Sequence, residues 1–171
     1  MTITISTVAP ADVHAIAALA RIVWQEAYPA IISQAQIDHM LAQRYNAPRL
    51  LEELATPGIW WDQIRVNGAL AGFSSSLLTH TRGEMKLDKI YIDPAQQRLG
   101  LGGRLIAQVS GRALAEGCDT LILAVNKQNA RAIAAYRKNG FAVREAVCVE
   151  IGNGFVMDDF IMAKSLVPDI H

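Results

Sequence analysis

Thr2 to Thr7 alternates isoleucine with hydroxyl residues, the period of two expected of a half-buried strand. After Pro10 the period changes. Val13, Ile16, Leu19, Val23 and Ala27 recur at helical spacing, which predicts an amphipathic helix from about Ala11 to Tyr28. Ser33 with Gln36 three residues on has the form of a capping box, and Ile37, Met40, Leu41 and Tyr45 supply the buried stripe of a second helix ending near Tyr45. Pro48 to Leu54 suits a short third. Pro57 and Gly58 then break the helical region. IWWDQIRV, an Asn67-Gly68 turn and ALAGFSSSLL read as a β-hairpin, and MKLDKIYI, ending at Asp93-Pro94, as a third consecutive antiparallel strand. Leu105, Ile106, Val109 and Leu114 give a helix from Gly102 to Ala115, stopped by Gly117. TLILAV is a short buried strand and NARAIAAYRKNG a helix closed by Gly140. FAVREAVCVE and FVMDDFIMAKSL are two strands joined by Gly152-Asn153-Gly154.

The order is therefore one strand, helices, three strands, helix, strand, helix and two strands. From Lys86 to Val125 it runs strand, glycine-rich turn, helix, strand. Consecutive parallel strands joined by a helix carry the intervening turn at the carboxyl edge of the sheet, where ligands of open α/β sheets gather.

Composition narrows the partners. The chain has 171 residues, 51% of them hydrophobic, and 16 basic side chains balance 16 acidic ones. A chain of this size removes roughly 70% of its unfolded surface from water on folding, so a single domain over residues 1–171 needs no disulfide or metal. Zero net charge and a pI near 6.9 argue against binding nucleic acid or anionic lipid through a broad basic surface. Cys118 and Cys148 stand far apart with no CxxC spacing and read as small apolar core residues of a reduced protein. MTITISTVAP has neither a basic start nor a long apolar stretch, and no segment approaches a membrane span, so a cytoplasmic location is expected. His14, His39, His80 and His171 show no metal-ligand spacing, and no metal is expected.

The chemistry concentrates in YIDPAQQRLGLGGRLIAQ, Tyr91 to Gln108. Glycines let a backbone turn with positive φ and approach a ligand, and the amides and dipole of a helix N-terminus attract phosphate oxygens. The same glycines also suit a tight strand-to-helix connection with no ligand. A Walker A loop needs Gly-Lys-Ser/Thr before its helix, and Gly102-Gly103-Arg104 stands here, which disfavours a kinase or ATPase. A dinucleotide fingerprint needs glycine where Leu105 stands and an acidic residue where Val125 and Asn126 stand, which disfavours NAD and FAD.

Gln97-Arg98-Leu99-Gly100-Leu101-Gly102 meets every fixed position of Gln/Arg-x-x-Gly-x-Gly/Ala, the acyl-CoA signature of the GNAT N-acetyltransferase superfamily, which the sequence resembles. Tyr91, Ile92, Asp93 and Pro94 precede it as in that family, and Asn129, Tyr136, Gly140 and Phe141 follow at the family's spacing. The resemblance covers about residues 84 to 164, the acyl-CoA-binding core. It implies the GNAT fold: an α/β domain with one mixed, mostly antiparallel sheet of six to seven strands flanked by about four helices, in the order β-α-α-β-β-β-α-β-α-β-β.

The resemblance further implies an acetyl-CoA-dependent N-acetyltransferase. Gln97, Arg98, Leu99, Gly100, Leu101, Gly102 and Gly103 would cradle the pyrophosphate, Ile90, Tyr91 and Ile92 would pair with the pantetheine, and Asn126 and Asn129 would hydrogen-bond it. Tyr136 aligns with the general acid that protonates the departing thiolate, while a core tyrosine is its other reading. The family's acidic position on the preceding strand holds Lys86, leaving Glu84 or Asp88, on the same strand face, as the base. The acceptor would lie against Trp24, Glu26, Tyr28, Tyr45, Trp60, Trp61, Asp158 and Asp159; the last two are strand neighbours, face opposite ways and form no dyad. The expected acceptor is a primary amine of a small molecule, polyamine-like by the closing segment GNGFVMDDFIMAKSL. Alternatives are a protein or peptide amine, or a non-catalytic acyl-CoA sensor, for which Lys86 speaks. The exposed sheet edge expected of the last two strands suits a homodimer.

Overall fold

The computed structural model describes residues 1–167. Seven strands and five α-helices follow in the order β1 (Ile3–Thr7), α1 (Val13–Ala27), α2 (Gln34–Arg44), α3 (Ala47–Leu54), β2 (Ile59–Val66), β3 (Ala69–Leu78), β4 (Glu84–Ile92), α4 (Leu101–Ala115), β5 (Thr120–Asn126), α5 (Ala130–Lys138), β6 (Ala142–Gly152) and β7 (Phe155–Ser165). The strands form one sheet in the order β1-β2-β3-β4-β5-β7-β6. The β4–β5 pair is parallel, from Glu84↔Thr120 to Lys86↔Ile122, while β1–β2, β2–β3, β5–β7 and β6–β7 are antiparallel. The chain packs as two compact units, Met1–Leu77 with Lys89–Leu105, and Leu78–Asp88 with Ile106 onward. Among the described residues no helix is long and apolar enough to cross a membrane.

In the first unit, local chemistry sets each element. Pro10–Asp12 forms a single 3-10 turn, so α1 begins two residues later than its apolar spacing suggests. Ser33 caps α2 by accepting the Gln36 N–H at 3.1 Å, and Asn46 caps α3 by accepting that of Arg49 at 2.8 Å. The hairpin turn needs two left-handed residues, and Asn67 and Gly68 supply φ of 51° and 82°. Ile16, Leu19, Ala20, Val23 and Trp24 are buried from α1, with Ile37 and Met40 from α2 and Leu50 from α3.

Trp24, Tyr45, Trp61, Phe73 and Tyr91 form an aromatic cluster, with Trp61 stacked on Phe73 at 5.8 Å and Trp24 at 6.0 Å from both tyrosines. Burial pushes the Tyr45 hydroxyl pKa upward, so it stays protonated. An ion pair lies inside this cluster. Lys89, with 3% of its side chain exposed, places Nζ 3.8 Å from Glu53 and over the rings of Trp61 and Tyr45 at 5.2 and 5.9 Å. Glu53 also accepts from Arg49 Nε at 2.9 Å and Trp61 Nε1 at 3.3 Å. The alternation of β4 places Lys89 in the row of Met85 and Leu87, an apolar row where a cation requires such company.

In the second unit, Gly117 at φ 82° ends α4 and Gly140 at φ 92° ends α5. Leu121, Leu123 and Val125 are buried on one face of β5 and Ile122 on the other, where Ala124 is exposed; Val109 and Ala113 of α4, Phe141 and Met162 are buried too. Cys118 is buried, and burial raises its thiol pKa. Cys148 departs from the expectation of a core residue: it is exposed on β6, because that strand has exposed residues on both faces.

Two substitutions test this packing. A Cβ at Gly72 would lie 2.6 Å from Ile92 Cδ1 and 2.8 Å from the Tyr91 carbonyl oxygen. Gly72→Ala is expected to cost about 1–3 kcal/mol in chemical denaturation. Glu53→Gln is expected to cost about 3–5 kcal/mol by the same measurement, with part of the loss recovered when Lys89→Met is added.

Candidate active site

The turn that leads into α4 is built by short-range bonds within the first unit. Asp93 Oδ1 accepts the Ala95 N–H at 2.9 Å, which starts a single 3-10 turn at Pro94–Gln96. Gln97 is extended, and its Nε2 donates back to the Ile92 carbonyl at 3.3 Å, tying the start of the turn to the end of β4. Arg98 and Gly100 then take φ of 70° and 71°. A non-glycine residue in that region is uncommon and marks a backbone held by its surroundings. The next residues are helical. The Arg104 N–H donates to the Gly100 carbonyl at 3.2 Å, so the amides of Leu101, Gly102 and Gly103 lie in the first turn, ahead of any i−4 carbonyl within the helix.

This turn has an apolar underside and an open top. Leu101 and Leu105 are 2% and 0% exposed and pack with Ile64, Val66 and Ala71, against which Ile90, Ile92 and Leu99 also rest. A Cβ placed on Gly100 or on Gly102 would meet nothing within 4 Å. Arg98 and Arg104 are exposed beside them. Amides without helical partners, a helix dipole, two bare backbone faces and two cations together fit the pyrophosphate of a CoA thioester.

Trp24 is buried in the same unit, and the half-buried Tyr28 packs its ring 4.3 Å from it. The hydroxyls of Tyr28 and Tyr91 lie 3.5 Å apart, which brings these expected acceptor residues to the strand expected to hold pantetheine. Glu26 is exposed near the end of α1. Trp60 and Trp61 line a separate open groove of about 610 Å³ with Leu51, Leu54, Pro57 and Ile59, and none of its walls is charged.

The remaining candidates belong to the second unit. Asn126 closes β5, and its Oδ1 accepts the Gln128 N–H at 2.9 Å. Asn129 caps α5 by accepting the Ala132 N–H at 3.2 Å, and its own N–H reaches the Asn126 carbonyl at 3.0 Å. Tyr136 is half-buried on that helix, with its ring edge-on to Phe141 at 6.0 Å. Glu84 accepts from Thr79 Oγ1 at 2.9 Å and Arg144 Nη1 at 3.0 Å, which engages both carboxylate oxygens. Asp88, with 10% of its side chain exposed, lies 3.6 Å from Lys86 Nζ on the shared face of β4. The two aspartates of β7 differ as alternation requires. Asp158 is exposed and bonded to Lys127 Nζ at 2.6 Å, whereas Asp159 is 6% exposed, opposite Asn126 in the β5–β7 register.

Sequence reasoning passed over Arg144, Thr79 and Lys127, whose bonds engage Glu84 and Asp158. It also passed over Lys89 and Glu53. For Lys89 a signal existed, a lone cation in the apolar row of β4.

Residues 16–141 match the acetyltransferase (GNAT) family. An IAA acetyltransferase of Azospirillum brasilense is 28% identical over 113 residues, 64% of this chain and 74% of its own length. A spermidine N(1)-acetyltransferase of Thermoplasma acidophilum is 24% identical over 162 residues, covering 92% and 97%. The PaiA N-acetyltransferase from Thermoplasma acidophilum, solved in complex with coenzyme A, superposes with a TM-score of 0.82 at 25% identity, over 96% of this chain and 99% of that one. A turn suited to a pyrophosphate, the seven-stranded mixed sheet and the family match agree: the chain belongs to the GNAT family, as an acetyl-CoA-dependent N-acetyltransferase.

Proposed function

We propose that the enzyme acetylates a primary amine of a small cationic molecule by direct attack of the neutral amine on the thioester. Acetyl-CoA supplies an activated acetyl carbonyl, and the residues of this chain bind, orient and move protons. Gln97 to Gly103 hold the pyrophosphate through main-chain amides, aided by Arg98 and Arg104. Ile90 to Ile92 hold the pantetheine as an added strand would be held, with Asn126 and Asn129 as further hydrogen-bonding partners. A backbone amide near Ile92 faces the negative charge that grows on the carbonyl oxygen. Tyr136 gives the proton to the sulfur.

Asp88 is the base in this reading, directly or through a water. Thr79 and Arg144 support the choice by occupying Glu84, whereas Asp88 has Lys86 as its neighbouring cation on β4. That lysine stands where the family's acidic residue is expected, and Asp88 moves the carboxylate two positions along the same strand face.

The observation that carries the acceptor class is the burial of Asp159. A buried carboxylate on β7, opposite Asn126 at the carboxyl end of β5, favours a cationic group in its surroundings. Asp158 is exposed and bonded to Lys127 instead.

The direct test follows free thiol release with acetyl-CoA and a set of polyamines, monoamines and free-amino peptides. Turnover of cationic small amines is expected, and turnover of peptides alone would overturn the acceptor class. Tyr136→Phe is expected to lower kcat by about a hundredfold or more, with acetyl-CoA affinity measured by calorimetry unchanged. Asp88→Asn is expected to remove the fall in rate on acidification, which reports protonation of the base. Glu84→Gln should keep that pH profile and lose thermal stability instead.

A further inference from the structure

Where β3 passes the end of β4, its backbone bends and comes very close. β2 and β3 pair Ile64 with Gly72 and Arg65 with Leu70, so Ala71 is one residue more than the ladder needs, a bulge that turns the strand. The carbonyl of that extra residue accepts the Asp93 N–H at 2.8 Å. Beside it, Gly72 leaves no room for a side chain. A Cβ there would stand 2.8 Å from the Tyr91 carbonyl oxygen, 2.6 Å from Ile92 Cδ1 and 3.1 Å from Ile64 Cγ2. Gly72 is not among the left-handed glycines of the chain, so what the fold uses at this position is the missing side chain and not an unusual backbone.

The contact with the Tyr91 oxygen bears on the next amide. That oxygen and the Ile92 N–H belong to one planar, trans peptide and therefore point to opposite edges of β4. Asp93 fixes which edge is which. With its N–H on β3, alternation along the strand turns the N–H and C=O of Tyr91 toward β3 as well, and those of Ile90 and Ile92 toward the other edge. The ladder with β5 on that other edge runs from Glu84 to Lys86 and ends before Ile90 is reached. Phe73, which follows Gly72, packs its ring 5.7 Å from that of Tyr91, so β3 holds this peptide through both of the residues that form it.

We infer that Gly72 is a positioning residue for acetyl transfer: by letting β3 lie directly against the Tyr91 oxygen, it sets the tilt of the Tyr91–Ile92 peptide and so the direction in which the Ile92 N–H is presented to the thioester oxygen. The inference rests on the reading that this amide faces the charge growing on that oxygen. Such a donor helps only when it is aimed at the place where the oxyanion forms, and a displacement of about 1 Å is enough to lower a rate roughly a hundredfold. A β-carbon at position 72 meets two different neighbours. Ile92 Cδ1 is the end of a side chain and gives way, whereas the Tyr91 oxygen is main chain and moves only with its peptide. One substitution thus carries two separable effects, crowding in the core and rotation of a working amide.

Steady-state kinetics, calorimetry and amide exchange on the full chain separate the two. Gly72→Ala is expected to lower kcat by roughly ten- to a hundredfold, measured well below its melting temperature, while CoA affinity by calorimetry is unchanged. Ile92→Val removes the Cδ1 contact and leaves the contact with the Tyr91 oxygen. In an Ile92→Val background, compared with Ile92→Val alone, Gly72→Ala is therefore expected to cost less melting temperature and to lower kcat by the same factor as before. An unchanged kcat overturns the inference. So does a loss of kcat that shrinks in step with the loss of melting temperature, because packing alone then accounts for it. The Ile92→Val background decides if Gly72→Ala alone fails to fold. Exchange of the Ile92 amide in the unaltered chain tests the underlying reading by itself: protection by acetyl-CoA is expected, and its absence overturns that reading and the inference together. Protection combined with either adverse kinetic result overturns the inference alone.

Discussion

Two leucines hold the turn on which the chemistry depends. Leu101 and Leu105, one helical turn apart, are buried against Ile64, Val66 and Ala71 of the β2–β3 hairpin. Burying each stabilises the first turn of α4 by roughly 1.5–3 kcal/mol. This contact keeps a helix start, whose first amides have no i−4 partner within the helix, at the end of β4, and it sets the neighbouring glycines on the side away from the core. Gly100 and Gly102 are open there because Leu99, Leu101 and Leu105 take up the apolar contact on the other side. The left-handed conformation of Arg98 belongs to the same constraint, since Gln97 is tied to Ile92 on one side and the helix is anchored on the other.

β4 connects this scaffold to proton chemistry through alternation. One row carries Met85, Leu87, Lys89 and Tyr91, the other Glu84, Lys86 and Asp88. The first row carries a buried cation within an aromatic cluster, the second a chain of charges. Lys89 is held by Glu53 and two aromatic rings, which accounts for a cation deep among apolar residues. In the second row Glu84 and Asp88 differ in company more than in burial. Arg144 and Thr79 engage both oxygens of the first, and Lys86 stands beside the second.

Much of this was legible in the sequence because its causes are local. The Asn67-Gly68 turn, the stops at Gly117 and Gly140, the cap at Ser33 and the glycine turn before α4 are each written in a few adjacent residues, and the structure has each of them. The short helix after Pro48 was visible for the same reason. What could not be read depends on residues far apart in the chain. Arg144 reaches Glu84 across 60 positions and Lys127 reaches Asp158 across 31, so no window of sequence shows which acids are engaged. The exposure of Cys148 was hidden differently: alternation tells that a strand has two faces, and it does not tell whether either is covered.

That last residue has a chemical consequence. The chain has two cysteines, and the fold divides them sharply: Cys118 is buried with its thiol pKa raised, and Cys148 lies in the open on the outermost strand. Sulfur reactivity in the native protein is therefore concentrated at one position per chain, and the second sulfur becomes available only as the core around α4 and β5 opens. The ratio of reactive to total thiol thus serves as an internal gauge of structural integrity, written into the protein by the placement of two atoms.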